Sequence, residues 1–173
     1  MTRRSAFSSH QTVLYAHAPM STRILAPPLA GHVLGATDAS FVIAEWSDPG
    51  GSSSHPRLIA PWHVHHKDDE AWYVLEGLLH IRRGEELHKA GPGSAVFVPR
   101  GTPHTYWNPG PNQTRYLLIM TPNIYQLIQE IHVATDRSPM ALRALFQRHN
   151  SDLLDLPQVP LPEPGFERRP AIP

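Results

Sequence analysis

The chain has 173 residues with 15 basic and 15 acidic side chains, so its formal charge is zero when histidine is neutral. That balance leaves no electrostatic footprint for nucleic acid or an anionic membrane, and the length suits one domain with a substantial core. Only 17% of residues are charged and 19 are proline, which favours strands and loops over a helical bundle, and the lack of cysteine excludes disulfides, thiolate ligands and a cysteine nucleophile.

Residues 1–31 read as an N-terminal arm. Arg3 and Arg4 open it, but the apolar run that a secretory leader needs does not follow, so a cytoplasmic location is expected. No stretch of 18 apolar residues occurs, and no membrane span is predicted. A short strand is predicted over 12–16, and Pro27-Pro28 punctuates the arm. From 32 to 121, β-rich runs alternate with turn residues: 41–46, 57–65, 71–75, 78–82, 86–89, 95–98, 104–107 and 115–120. Short strands at such close spacing predict an all-β sandwich or barrel. Arg83-Gly84-Glu85 marks a tight hairpin.

After Met120 the period changes. Ile124, Leu127, Ile128 and Ile131 fall on one face of a helix, and Thr121-Pro122 supplies a capping hydroxyl followed by a first-turn proline. A second short helix is predicted from Ser138-Pro139, burying Leu142, Leu145 and Phe146, with His149 on the same face. The two helices make up 122–150. Residues 151–173 read as a Pro-rich tail, extended from Leu156 onward.

The chemistry concentrates in two segments. Residues 61–70 read Pro-Trp-His-Val-His-His-Lys-Asp-Asp-Glu, and the second segment holds Gly93, Pro99, Gly101, His104 and Asn108. Alternate residues of a strand share a face, so His63 and His65 project together. Glu70 opens the next strand and can reach back to the same point, and His104 begins a later one. Two histidines and a carboxylate suit a transition metal with open positions, and a third imidazole tightens the site. Trp72 shares parity with Glu70 and Tyr106 with His104, so both are candidates to line a pocket for a flat, apolar substrate. Gly77, Gly93 and Gly101 sit where the chain must turn tightly, and Asn108 is expected to anchor the loop after the ligand strand. His66 faces the other way and is read as surface or as an outer neighbour of the ligands. Asp68, Asp69 and Arg100 are read as solvated loop residues, and Trp62 as packing outside.

These segments resemble the two signature motifs of the cupin superfamily. The first is His63-x-His65, four residues, Glu70, six residues, Gly77; the second is Gly93, five residues, Pro99-x-Gly101, two residues, His104, three residues, Asn108. The close match covers 61–108 and a looser one about 31–121. The resemblance implies a double-stranded β-helix, or jelly roll, with one divalent transition metal in the barrel. It makes His63, His65, Glu70 and His104 the metal ligands. Residues 117–122 and the helical region after them are similar to small quercetin-dioxygenase-like cupins, although Asn123-Ile124-Tyr125 stands where that group often carries Gly and Phe.

The expected activity is therefore a mononuclear metal dioxygenase acting on a small aromatic or enol-type substrate, with Glu70 as ligand or general base. The alternatives are a non-redox isomerase, lyase or decarboxylase using the metal as Lewis acid, and a metal-assisted small-molecule-binding protein without catalysis. Iron, manganese, nickel, copper, cobalt and zinc all accept such ligands. The resemblance also implies a homodimer, in which residues 1–31 would add a strand to a partner's sheet edge.

Overall fold

The computed structural model describes residues 33–35, 38–51 and 57–155. The arm over 1–31, its strand at 12–16, and the tail from 156 lie outside the described residues. The described residues form ten strands and two helices, in order: β1 (Val33–Leu34), β2 (Val42–Asp48), β3 (Leu58–His65), β4 (Glu70–Glu76), β5 (Leu79–Arg83), β6 (Glu86–Ala90), β7 (Ala95–Val98), β8 (His104–Trp107), β9 (Thr114–Met120), α1 (Pro122–Val133), α2 (Pro139–Arg148) and β10 (Ser151–Leu153). The strands form two five-stranded antiparallel sheets, ordered β1-β2-β9-β4-β7 and β10-β3-β8-β5-β6. From β3 to β9 the chain passes repeatedly from one sheet to the other. This is the predicted all-β jelly roll with two short helices after it.

Alternation sets the core. In β9, Thr114, Tyr116, Leu118 and Met120 are buried while the residues between them are partly exposed. Their partners in register, Val42 and Ala44 of β2 and Trp72 and Val74 of β4, complete one wall. Leu79, Ile81 and Tyr106 face them from the other sheet, and Ile124 of α1 packs onto the same core. The second sheet is buried on both sides around β3, where Trp62, His63, Val64 and His65 are all covered. Trp62, read as packing outside, is covered where it packs: the Arg82 guanidinium lies 5.4 Å from the centre of its ring.

Both helix starts follow the sequence signals. The Thr121 side chain accepts from the Ile124 N–H and that of Ser138 from the Ala141 N–H, each before a first-turn proline. Glycine is required at Gly77, where φ is +76° and an added Cβ would collide with the Gln113 carbonyl and the Thr114 side chain. Gly101, at φ +78°, donates its N–H to the His65 carbonyl at 2.7 Å and so ties the two motifs together. Asn108 anchors its loop as expected, donating to the Asn112 carbonyl at 2.8 Å and accepting from the Gly110 N–H at 3.0 Å.

One boundary differs. The reading that began the tail at 151 is corrected by β10, which pairs with β3 in the register Ser151↔His65, Asp152↔Val64 and Leu153↔His63. Three residues with one leucine carry too little pattern to be seen as a strand. They become one because Asn150, just past the α2 cap His149 and at positive φ (51°), turns the chain back onto the edge of β3.

Candidate metal centre

The four candidate ligands come from both sheets. His63 and His104 are direct cross-strand partners on β3 and β8, and His65 lies two residues further along β3 on the same face. Glu70 starts β4 in the facing sheet. All four are buried, and one ligand atom from each lies within 4.8 Å of the others, so the group could hold a metal ion. The His63 and His65 Nε2 atoms are 3.1 Å apart, and Glu70 Oε2 is 2.9 Å from His104 Nε2 and 3.7 Å from His65 Nε2.

The outer ring nitrogens explain why those atoms converge. Nδ1–H of His63 donates to the Pro61 carbonyl at 2.7 Å, that of His104 to the Thr102 carbonyl at 2.9 Å, and that of His65 to Ser151 Oγ at 2.7 Å. With each Nδ1 proton committed outward, each Nε2 turns a bare lone pair toward one point. Three such lone pairs and a carboxylate repel one another unless a shared cation lies among them. Burial holds His63 well below its ordinary pKa of 6.5, with His104 and His65 adding to the effect, and burial takes His65 down to about 4. Neutral imidazole is the form that coordinates metal. Three imidazole nitrogens and one carboxylate oxygen fit a divalent transition ion.

A cavity opens beside this group, with about 670 Å³ of atom-free space including its mouth. His63, His65 and Glu70 reach it, Tyr106 and Tyr116 bound one side, and Ile124, Leu127, Ile128 and Ile131 of α1 form an apolar wall, with Trp46 and His132 also lining it. No lysine or arginine is among the described lining residues. Tyr116 donates to the Tyr106 hydroxyl at 3.5 Å, and burial raises both phenols above their usual pKa, so both stay protonated at neutral pH. Trp46 Nε1 has no hydrogen-bond partner among the described residues.

Tyr106 lines this cavity as read from its parity. Trp72 does not: it faces the interior but is fully buried, with its ring centre 5.1 Å from that of Tyr106 and 5.8 Å from that of His104. Packing against those rings takes it out of the open space. Asp68 also departs from the solvated-loop reading. It is buried and accepts from Thr121 Oγ1 at 2.7 Å and Asn123 Nδ2 at 2.8 Å, which fastens the loop between His65 and Glu70 to the start of α1. Asp69 instead pairs with Arg100 at the surface, and exposed His66 pairs with Asp152. Tyr116 and Trp46 were legible but overlooked, since each shares parity with inward residues of its strand. Phe146 was expected to be buried, but nothing local placed it 5.5 Å from the His63 ring centre or Ser151 on His65, because only folding brings them to β3.

Fold and donor set define a jelly roll able to carry one metal ion between its sheets. Residues 48–120 match the family model of the cupin domain, and that span is a cupin domain. Similar solved structures include the protein TT1209 from Thermus thermophilus, at 29% identity over 47% of this chain and 72% of that one, with a TM-score of 0.41. A sugar phosphate isomerase of the cupin superfamily from Silicibacter pomeroyi is 22% identical over 48% of this chain and 51% of its own, with a TM-score of 0.42. KdgF from Halomonas sp. is 19% identical over 48% and 69%, with a TM-score of 0.38. This chain thus spans about half the length of the isomerase. No curated protein matches the sequence. No helix among the described residues is long and apolar enough to cross a membrane.

Proposed function

We propose that the protein is a mononuclear metal-dependent dioxygenase of the quercetin-dioxygenase-like kind, acting on a small aromatic or enol-type substrate. The observation that carries the reading is a largely apolar cavity reached by His63, His65 and Glu70 of the buried four-residue group, with no lysine or arginine among its described lining residues. A phosphorylated or polyanionic substrate would find nothing there but the metal to balance its charge. A flat, uncharged substrate with one acidic hydroxyl suits it better.

His63, His65, His104 and Glu70 would hold the metal through Nε2 and Oε2. When bound, a divalent metal supplies Lewis-acid polarisation of a substrate oxygen and, if it is redox-active, access to dioxygen. The protein's own groups do the rest. Glu70, in the cavity beside the three imidazoles, can take the proton from an enolic hydroxyl as that oxygen approaches. The protonated Tyr106–Tyr116 pair offers a hydrogen-bond donor to a second substrate oxygen. The wall of isoleucines and Leu127 holds the apolar body and keeps water out. In a dioxygenation both atoms of dioxygen enter the product, so no external reductant is needed.

The test joins elemental analysis of the purified protein to oxygen uptake with a panel of flavonols, catechols and enolic diketones, across iron, manganese, nickel, copper and cobalt loading. Near-stoichiometric metal with uptake on one of these classes is the expected outcome. Full loading without turnover on any of them rejects the dioxygenase and leaves Lewis-acid chemistry or ligand binding. We further propose a homodimer. The outer face of the first sheet supports it, with Ile43, Ile119, Ala71 and Phe97 in one row across four strands and Leu117, Tyr73 and Ala95 in the next. A light-scattering mass of 19.3 kDa, the single-chain value, would reject it.

A further inference from the structure

His63 and His104 are oriented by carbonyls two residues before them, within their own segments. His65 has no such local partner. Its Nδ1 meets Ser151 Oγ at 2.7 Å, from a residue 86 positions later and beyond the matched cupin domain. Ser151 is 1% exposed, lies opposite His65 in the β10–β3 register, and also donates its hydroxyl proton to the His149 carbonyl at 3.0 Å. A hydroxyl has one proton. With that proton given to His149, Oγ can only accept from His65, so Nδ1 carries the hydrogen and Nε2 keeps its lone pair for the centre. The serine is itself held in place, since the His66 N–H donates to the Asn150 carbonyl and the Leu154 N–H to the Trp62 carbonyl, each at 2.9 Å.

We infer that Ser151 is a positioning residue for the metal centre: its hydroxyl fixes the ring orientation and tautomer of His65, so metal affinity depends on the strand that follows α2. The inference rests on the reading of His65 as a ligand. Partners of this kind orient the ring and raise the basicity of the coordinating nitrogen, and their loss typically weakens metal binding about 10- to 100-fold.

The experiment measures zinc and cobalt affinity by chelator competition on the full chain, together with the visible absorption spectrum of the cobalt form. Ser151→Ala should bind about 10- to 100-fold more weakly and give an altered cobalt spectrum. Ser151→Thr, which keeps a hydroxyl on a residue suited to a strand, should restore both. Asp152→Ala is the control. It removes the exposed pair with His66 from the same strand without touching His65, and should leave affinity and spectrum as in the parent. Parent-like affinity and spectrum in Ser151→Ala overturn the inference alone. Equal weakening in Asp152→Ala also overturns it, because docking of the strand rather than the hydroxyl would then be the cause. A parent protein that binds neither metal overturns both the inference and the ligand assignment beneath it.

Discussion

The barrel and the segment from Thr121 to Asp155 serve the candidate centre in different ways. Strands β3, β4 and β8 present all four candidate ligands, and each points inward because strand residues alternate. The later segment presents none. It contributes Phe146 against His63, Ser151 against His65, Thr121 and Asn123 on the loop before Glu70, and the apolar wall of α1. The donor set is therefore a property of the shared domain, while the shape and rigidity around it belong to residues outside the matched region. Proteins with the same motif can differ in substrate for that reason.

The sharpest break between the two regions is His104→Ala. It should abolish stoichiometric metal while leaving α1 and α2 folded, as read by elemental analysis and circular dichroism. Full metal content in that variant would remove the barrel's part in the comparison. Phe146→Ala should cost about 3–5 kcal/mol, as for other buried aromatic truncations, because Phe146 fills the small cluster with Leu127 and Leu145. Denaturant unfolding of this variant should remain a single transition. Two transitions would mean that the segment melts apart from the barrel.

Acid should act on the barrel first. Burial holds His65 and His80 at about 4 and His63 also well below 6.5, so all three are neutral when folded and take up protons at about 6.5 when unfolded. Their contribution to stability is complete above about pH 6.5 and is lost as pH falls toward 4. The melting temperature of the metal-free protein should drop through that window, and His80→Gln should make the drop shallower. An unchanged slope in His80→Gln would exclude that residue's share.

Smaller effects test the joint between the regions. Asp68→Asn places an amide N–H₂ against two donors or forfeits one of them, and should cost about 1–3 kcal/mol. If the loop positions Glu70, metal affinity should fall with it. Ser138→Ala removes only the cap of α2 and should cost about 1 kcal/mol, with no change in metal affinity. A loss of metal in this last variant would show that helix stability, rather than the named contacts, governs the centre.

Much of this molecule follows from short-range pattern. Alternation in β9 and the capping signals at Thr121 and Ser138 act within a few residues, so strands, helices and the inward direction of His63, His65, Glu70 and His104 were determined by the sequence itself. Direction, however, does not say how deep a side chain ends up. Trp72 and Tyr106 both face the interior, yet only the packing of one ring on the other decides which meets the cavity. Asp68 became a tether rather than a solvated carboxylate because α1 docks over it. Ser151 meets His65 only because Asn150 reverses the chain after α2. Contacts of that range depend on loop closure and packing across the whole fold. No local periodicity encodes them, and only the tertiary structure decided them.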